Sequence, residues 1–417
     1  RRFMKTFTKN KVLFGLSLLT LVLVSSYTSV SILKTLREDD PQPNADKKDL
    51  TMEDVQQLPR LSSPQVLTLN GETPDKYLIY QTSTWTNSAE DSAAVVKVFY
   101  KKIDGTSAEV QVVVTAAADL NSPVVDDVND RLFFVSAGNT KISFIPFTGA
   151  AIDPAVVPVD VLTDATGIQN YKISGDGLSL IYSTEIQNPD VSLPANDNYA
   201  IYDSLMVNHW GTWNSHKLSV LKYIRLKLAD GTPIKAPIRL EHESVDNNGN
   251  TPVPPFGGAE MYDISYDGTR VAFTFAPTKE EATVTEWKIY VALVTISETD
   301  FMVASITDLS KNSVVNAVGR TQNPRFASNA ASDASGTVVY FQYMPKKHLE
   351  SDKLVLASFN LAATPEQTAV VKLNDDYDFG TGDFILHNMT KDTAVPTFAL
   401  FSIVYDGSVE LRAMKIS

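Results

Sequence analysis

"SGDGLSLIYST", residues 174–184, has a design that returns at "SYDGTRVAFTF", residues 265–275. In both segments a serine and an Asp-Gly pair are followed by a run of mostly apolar residues. Asp-Gly is a tight-turn signal because glycine accepts the positive φ that such turns require. β-Branched and aromatic residues favour strands. Each segment therefore predicts a tight turn followed by a strand.

The same design recurs along the chain. Further copies are "TPDKYLIYQTS" (73–83), "DVNDRLFFVSA" (127–137) and "SDASGTVVYFQY" (332–343), and residues 397–416 form a looser version. The better copies continue with a second and a third strand. For example, the copy at residues 73–83 is followed by "VVKVFYKKIDG", residues 95–105. Periods of roughly 45 to 70 residues with three or four strands each are typical of propeller blades.

The repeat predicts an all-β chain in which residues 61–417 form a β-propeller. Seven blades of about four antiparallel strands are expected, with six or eight as alternatives. About six units can be recognised from Pro74 to Ser417, and residues 186–245 are expected to form one further blade. The competing interpretation is a β-sandwich or a set of small β domains, which the regular Asp-Gly spacing disfavours.

The N-terminal sequence predicts a targeting signal. Three lysines precede "VLFGLSLLTLVLVSS", residues 12–26. A positive flank, an apolar centre and small residues at its end are typical of a secretory signal peptide, here with a cut after Ser26. Read as residues 12–33, the uncharged run is long enough to span a bilayer, so a membrane anchor is the alternative.

Both interpretations of residues 1–33 place the protein in the secretory pathway. It is then extracellular, or membrane-anchored with the propeller outside the cytoplasm. Residues 34–60 are charged and Pro-containing, which predicts a polar linker.

Composition excludes several classes of protein. The net charge is −13, which disfavours nucleic acid as a partner. The chain has no cysteine, so neither a disulfide framework nor a thiolate metal site can form. No Gly-rich nucleotide loop occurs, and no cofactor is predicted.

One segment carries a family resemblance. "IYDSLMVNHWGTWNSHKLSVLKYI", residues 201–224, holds two of the four tryptophans and two of the five histidines. It resembles a signature of the prolyl oligopeptidase family of serine peptidases, in the branch of secreted dipeptidyl peptidases and acylaminoacyl peptidases. Propellers of that branch carry Tyr-Asp, then Arg-His-Trp-Asp-x-Trp, then a strand. The signature residues in this chain are Tyr202, Asp203, His209, Trp210, Thr212 and Trp213.

The chain departs from this signature at two charged positions. Asn208 and Gly211 stand where the resemblance implies an arginine and an aspartate. Neither replacement can form an ion pair. The two tryptophans remain, and large indole rings usually pack. We expect the segment to be a structural corner of a blade; a ligand-facing aromatic site, or metal binding through His209 and His216, are the alternatives.

The resemblance also implies chemistry that this chain lacks. Peptidases of the family use a Ser-Asp-His triad on an α/β-hydrolase domain, where the serine sits in a Gly-x-Ser-x-Gly elbow. No Gly-x-Ser-x-Gly occurs in the 417 residues. No catalytic residue is therefore predicted here, and the chain alone is expected to be inactive.

A substrate clamp is a further implication of the resemblance. Dipeptidyl peptidases of the family hold the free N-terminus of a peptide with propeller glutamates. The adjacent pair Glu280-Glu281 is the candidate in this chain. It lies between two predicted strands and lacks the tyrosine-rich context of the family motif. A solvated loop pair is the simpler interpretation.

Two other sites are suggested by residue type alone. Asp375, Asp376 and Asp378 supply hard oxygen ligands that suit Ca²⁺, but their spacing matches no EF-hand loop, and a solvated turn is the simpler interpretation. Otherwise no metal site is predicted. Asn388 begins the Asn-Met-Thr sequon, a candidate for glycosylation in a secreted protein.

Two functional hypotheses follow. In the first, the chain is the propeller portion of a secreted or membrane-anchored serine peptidase, and gates peptide access to a hydrolase domain outside these residues. Its partners are then a peptide substrate and that domain. In the second, it is a stand-alone extracellular propeller that binds a protein or glycan. The sequence leaves the oligomeric state open.

Overall fold

A computed structural model of the chain describes residues 58–69, 75–85, 94–114, 120–148, 152, 155–187, 191–192, 201–202, 217–241, 261–275, 288–309, 317–327, 336, 338–345, 355–361, 371–372, 381–387, 398–405 and 408–415. All the regular elements in these ranges are β-strands, which confirms the all-β prediction. Within the same ranges, no helix is long and apolar enough to cross a membrane. The predicted signal or anchor, residues 12–33, lies outside them.

The described residues form two compact units, one of residues up to 138 with 142–158, the other of residues 139–141 with 159 onward. The first two sheets are four-stranded and antiparallel, with the orders β1-β2-β3-β4 and β5-β6-β7-β8. Their strands are β1 (Arg60–Thr68), β2 (Lys76–Trp85), β3 (Ala94–Lys102), β4 (Val110–Gln111), β5 (Asn121–Asp126), β6 (Arg131–Ser136), β7 (Lys141–Pro146) and β8 (Val159–Thr163).

Three further four-stranded sheets follow, with the orders β9-β10-β13-β14, β15-β16-β17-β18 and β19-β20-β21-β22. A two-stranded ribbon, β11-β12, lies within the first of these in sequence, and a three-stranded sheet, β23-β24-β25, comes last. The strands are β9 (Asn170–Ile173), β10 (Ser179–Gln187), β11 (Val191–Ser192), β12 (Ile201–Tyr202), β13 (Lys217–Arg225), β14 (Ile238–Arg239), β15 (Tyr262–Ile264), β16 (Arg270–Phe275), β17 (Lys288–Ile296), β18 (Phe301–Asp308), β19 (Ala317–Phe326), β20 (Val338–Pro345), β21 (Val355–Asn360), β22 (Val371–Lys372), β23 (Thr381–His387), β24 (Phe398–Tyr405) and β25 (Ser408–Lys415).

The predicted extra blade at residues 186–245 is wrong. β13 and β14 pair with β10, so they complete the sheet that β9 and β10 begin. All nine residues of β10 pair with the nine residues of β13, and the described residues between the two strands form the two-stranded ribbon β11-β12. Seven blades are not confirmed: the described residues give five four-stranded sheets and one three-stranded sheet.

Within each unit the sheets pack face to face, which is a propeller-like arrangement. In the first unit the inward side chains of the first sheet meet those of β6 and β7 in one apolar cluster. Its buried members are Leu67, Tyr77, Ile79, Val98, Tyr100, Val112, Val114, Leu120, Leu132, Phe134, Ile145 and Phe147. Alternate residues of β2, Tyr77 and Ile79, belong to this cluster, because successive side chains on a strand point to opposite faces of the sheet.

The second unit repeats this packing between its last three sheets. One cluster joins the sheets of β16 and β20 and consists of Ala272, Ile289, Val291, Leu309, Phe326, Val339, Phe341 and Tyr343. A second joins β20 to β24 and consists of Ala327, Tyr340, Phe384, Ala399 and Phe401. Burial of these side chains from water is the main force that stacks the sheets.

The turn before β10 shows why the repeat uses serine and Asp-Gly. The Gly177 N–H donates to the Ser174 carbonyl at 2.9 Å, and Gly177 has a φ of 70°. The Asp176 carboxylate accepts from the Leu178 N–H at 2.9 Å, and the Ser174 hydroxyl accepts from the Ser179 N–H at 2.8 Å. Side chains thus satisfy the backbone donors of the turn, and the predicted Asp-Gly turn is confirmed.

The same bonds recur in the turn before β16. The Ser265 hydroxyl accepts from the Arg270 N–H at 2.9 Å, and the Asp267 carboxylate accepts from the Thr269 N–H at 2.9 Å. Gly268 has a φ of 75°. The sequence repeat therefore corresponds to a repeated turn structure.

The sequence pattern does not predict the strand in front of each of these turns. β9 has four residues and β15 has three, which is too short for a clear alternating pattern. Each strand predicted from these two copies of the repeat is consequently the second strand of its sheet, and not the first.

Gly268 sits in close contact with the preceding sheet. A Cβ at this position would lie 2.0 Å from the Ser179 Oγ and 2.4 Å from the Ser179 Cβ. The later turn shows the same closeness, since a Cβ at Gly336 would lie 2.6 Å from the Phe326 ring. Glycine is required at both places for space as well as for positive φ.

We predict that Gly268→Ala lowers the free energy of unfolding by about 2–4 kcal/mol, because left-handed strain and overpacking add together. Urea denaturation measures it. Gly167→Ala is the matched control in the same unit: its φ is 89° and no atom lies within 4 Å of the added Cβ. The control should lose only about 1 kcal/mol. Equal losses in both variants would show that space at Gly268 does not matter.

Candidate functional site

The residues predicted from the family resemblance fall almost entirely outside the described ranges. These are Asp203, His209, Trp210, Thr212 and Trp213. Tyr202 ends β12, and its backbone pairs with Val191. The packing role expected for this segment therefore stays a prediction.

The other predicted sites also lie outside the described residues. They are the clamp candidate Glu280 and Glu281, the calcium candidate Asp375, Asp376 and Asp378, and the sequon at Asn388. In the part of the chain that the structure does describe, no group of three or more His, Cys, Asp or Glu side chains is placed to hold a metal ion.

Strand register shows at which end of its sheet the signature is attached. β10 and β13 pair from Ser179↔Arg225 to Gln187↔Lys217. The six signature residues, from Tyr202 to Trp213, lie in sequence between Gln187 and Lys217. The connection that carries them therefore leaves and re-enters the sheet at the end opposite the tight turn at Asp176.

A buried carboxylate, Asp164, lies beneath the middle of this sheet. Its Oδ2 accepts from the Lys222 ammonium at 2.6 Å and from the Tyr182 hydroxyl at 2.9 Å. Its Oδ1 accepts from the Thr166 hydroxyl at 2.6 Å and from the Thr166 N–H at 3.1 Å. Tyr182 and Lys222 are direct cross-strand partners on β10 and β13, so the sheet register brings both donors to one carboxylate.

These donors determine the charge of Asp164. Burial raises the pKa of its carboxyl, but the hydrogen bonds from Lys222, Thr166 and Tyr182 outweigh burial and bring the pKa to about 2. Burial and the neighbouring Asp164 charge raise the pKa of the Tyr182 hydroxyl, which therefore stays protonated as a donor. Both carboxylate oxygens are occupied, so the group is a structural centre and not a general base.

We predict that Asp164→Asn lowers the free energy of unfolding by about 2 kcal/mol at pH 7. The folded pKa lies below the ordinary value of 3.8, so the carboxylate stabilises the fold above about pH 4 and this stability is lost as pH falls through about 2. Urea unfolding at several pH values measures it. The difference between variant and wild type should shrink toward pH 2.

Asp230→Asn is the control for this prediction. Asp230 accepts from Thr232 in a similar loop geometry but is fully exposed. It should change stability far less. A loss at Asp164 no larger than that at Asp230 would contradict the assignment of Asp164 as a structural centre.

A second polar centre lies at the turn end of the sheet. The Arg225 Nη1 lies 2.9 Å from the Asp176 Oδ2, 2.7 Å from the Ser179 Oγ and 3.0 Å from the Asp267 carbonyl oxygen. The Ser179 Oγ also lies 2.7 Å from the Tyr223 hydroxyl. Arg225 therefore joins the turn of its own sheet to the turn of the next sheet.

We predict that Arg225→Met lowers the free energy of unfolding by about 3 kcal/mol, because it removes the largely buried ion pair with Asp176 and the hydrogen bonds to Ser179 and to the Asp267 carbonyl. Thermal or urea unfolding checks this. Lys141→Met serves as the control, since the Lys141–Asp160 pair is more exposed, at 33% and 58% of side-chain area. The control should cost less than about 1 kcal/mol. Equal effects would mean that Arg225 is only a surface residue.

Sequence reasoning missed both centres. Asp164 and Lys222 are 58 positions apart, and only the fold brings them together. The local signal that existed was a lysine between apolar residues in "SVLKYI", because a charged residue on a buried strand needs a partner. Nothing in the sequence identifies that partner.

The fold and these centres define a class of protein: an all-β chain of stacked four-stranded sheets with a propeller-like arrangement. No protein-family model matches the chain. Curated relatives exist. Over 169 residues the chain is 33% identical to dipeptidyl-peptidase 5 of Aspergillus fumigatus, a match that covers 39% of this chain and 22% of that protein.

A longer match is to the probable dipeptidyl-peptidase 5 of Aspergillus terreus, at 27% identity over 278 residues. It covers 59% of this chain and 36% of that protein. The matched region thus spans between about one fifth and somewhat over one third of the length of these relatives.

Among solved structures, acylaminoacyl peptidase of Pyrococcus horikoshii aligns with 87% of this chain and 46% of its own, with a TM-score of 0.52 and 11% identity. At that identity the likeness concerns the fold alone. Together with the dipeptidyl-peptidase 5 relatives, it confirms the predicted resemblance to the propeller portion of prolyl oligopeptidase-family peptidases.

Proposed function

We propose that this chain is the non-catalytic propeller portion of a prolyl oligopeptidase-family serine peptidase, and that it gates peptide access to a hydrolase domain outside these 417 residues. The observation that carries the proposal is the sequence similarity to dipeptidyl-peptidase 5 over as much as 59% of the chain. The relatives are longer than the matched region, which leaves room in them for a further domain.

The physical features of the chain are consistent with a gate. Its sheets are stiffened by apolar faces and by buried polar bridges such as Arg225 to Asp267. A propeller that covers an active site would admit small or unfolded peptides and exclude folded proteins by size. Such a gate needs no nucleophile of its own, in keeping with the missing Gly-x-Ser-x-Gly elbow.

The N-terminal run at residues 12–33 supports a location in the secretory pathway as part of the same proposal. A cleaved signal peptide gives a secreted protein, and a retained segment gives a membrane-anchored one. In both cases the propeller lies outside the cytoplasm, where peptide substrates of a secreted peptidase would be found.

A stand-alone extracellular propeller that binds a protein or glycan is the second candidate. Asn208 and Gly211 favour it, because two charges of the resembled signature are absent. The absence of these two charged residues is expected in a propeller that does not act together with a catalytic domain.

The native mass tests the proposal. The protein is detected in its source tissue or cells with an antiserum raised against this chain, after enzymatic deglycosylation. We expect a band well above 45.7 kDa, the mass of these residues, that a serine-reactive fluorophosphonate probe also labels. Heat-denatured extract is the control for specific labelling.

Two results would contradict the peptidase proposal. One is a band at or slightly below 45.7 kDa, the mass of these residues alone. The other is a larger band that the probe fails to label while known serine hydrolases in the same extract react. Either result would favour the stand-alone binding propeller.

A further inference from the structure

Asp-Gly pairs are the points of this chain where the backbone can react with a neighbouring side chain. Glycine has no side chain, so nothing shields its amide nitrogen from the aspartate carboxyl that precedes it. The sequence contains five such pairs, and the structure describes four of them: Asp104-Gly105, Asp176-Gly177, Asp230-Gly231 and Asp267-Gly268. The fifth, Asp406-Gly407, lies outside the described residues. The four described glycines have similar positive φ values, between 70° and 77°.

The four turns differ in the exposure of the glycine. In three of them the glycine is buried: Gly177, Gly231 and Gly268. Gly105 is exposed, and so are its neighbours Asp104 and Thr106. A Cβ added at Gly105 would have no atom within 4 Å. The turn at Gly105 therefore has room to change its backbone conformation and is reached by water.

The backbone N–H of Gly105 also makes the longest hydrogen bond of the four. It donates to the Lys102 carbonyl at 3.3 Å. The other three N–H groups donate at 2.9 Å from Gly177, 2.9 Å from Gly231 and 3.0 Å from Gly268. Hydrogen bonds of this type usually measure roughly 2.7–3.2 Å, so the bond of Gly105 lies outside the common range. Its nitrogen is the one most easily released.

Thr106 binds the carboxylate of this pair. The Thr106 hydroxyl donates to the Asp104 Oδ1 at 2.6 Å, and the Thr106 N–H donates to the same oxygen at 2.8 Å. These two bonds lower the pKa of the Asp104 carboxyl, and the Lys102 ammonium, itself paired with Asp75, adds a smaller effect in the same direction. The carboxyl is thus kept ionised and bound to residue 106, which slows any attack on it by the Gly105 nitrogen.

We propose that Asp104-Gly105 is a site of spontaneous covalent modification, at which the chain slowly forms isoaspartate, and that the Thr106 hydroxyl restrains the reaction. The Gly105 nitrogen loses its proton to water and attacks the Cγ of the protonated Asp104 carboxyl. A C–N bond forms, the C–OH bond breaks and one water leaves, which closes a succinimide ring. Water then opens the ring, and opening at the main-chain carbonyl leaves the chain running through Cγ. The reaction needs no oxidant and no partner other than water.

The other described turns hold their carboxylates or glycines more firmly. The Asp176 carboxylate is also paired with the Arg225 guanidinium at 2.9 Å. The Asp267 carboxylate also accepts from the Ser265 hydroxyl at 2.9 Å. Ring closure changes the backbone on both sides of the new bond, and a buried glycine cannot follow without displacing packed neighbours. The structure therefore selects one of four pairs that are alike in sequence.

Modification at this turn has a local structural consequence. Isoaspartate adds one carbon to the backbone and moves the carboxylate away from Thr106. The turn lies between β3 and β4, which pair only through Phe99↔Gln111 and Tyr100↔Val110. We expect the modified chain to loosen β4 and to leave the other sheets intact. This inference does not depend on the proposed function.

Ageing of the purified full chain tests the choice of site. The chain is kept at about pH 6 and 37 °C for several weeks and cut with trypsin, and electron-transfer mass spectrometry measures the isoaspartate fraction at each Asp-Gly pair. We expect at least fivefold more isoaspartate at Asp104 than at any of the other three described pairs. A sample aged in urea is the control: without the fold, the four pairs should react at similar rates.

Two matched variants test the part played by the threonine. Thr232 binds Asp230 as Thr106 binds Asp104, through its hydroxyl at 2.6 Å and its N–H at 2.8 Å, but the glycine of that pair is buried. Thr106→Val should raise the rate at Asp104 at least twofold, because the hydroxyl bond is lost. Thr232→Val should leave Asp230 slow. Thr106→Ser keeps a hydroxyl and should age like the wild type.

Three outcomes would overturn the proposal. Isoaspartate at a buried pair equal to or above that at Asp104 means that exposure does not select the site. An Asp104 that stays unmodified in the folded chain, while the urea sample reacts, means that the turn prevents the reaction. A folded Thr106→Val chain that ages at the wild-type rate means that the threonine has no restraining role. Thermal unfolding verifies the fold of each variant, and the comparison of the four wild-type pairs stands without any variant.

Discussion

The close contact between Gly268 and Ser179 is the constraint on which the stacking of sheets in the second unit depends. A turn that carried any side chain at 268 could not approach the preceding sheet closely enough for Arg225 to reach the Asp267 carbonyl. Apolar faces supply most of the energy of stacking, but they are not directional. The glycine contact and the arginine bridge fix how one sheet is placed on the next.

Buried polar groups also fix the arrangement of strands within a sheet. Burial raises the pKa of the Asp164 carboxyl, and the hydrogen bonds from Lys222, Thr166 and Tyr182 together bring it to about 2, so the group stays ionised. In the first unit, Arg131 plays a comparable part: it binds Asp126 at 2.7 Å and lies over the Phe144 ring at 4.9 Å. Each group joins neighbouring strands by directional bonds.

The sequence predicted the strand-rich fold, the Asp-Gly turns and the family resemblance, because each of these depends on local residue pattern. It failed at the short strands β9 and β15, which carry too few residues for periodicity. It also failed at residues 186–245, where a long connection between two paired strands looked like another blade. The signature residues around Trp210 carry the predicted family resemblance, and they lie outside the described residues.

By itself, the sequence determined where chains of this kind turn: glycine at 177 and 268 follows from the positive φ that a tight turn needs. It also determined which relatives the chain resembles. Only the tertiary structure decided that Gly268 faces Ser179 and that Asp164 meets Lys222. The reason is physical: turns are set by neighbours in the chain, whereas strand partners, packing and buried ion pairs join residues that are far apart in sequence and depend on register.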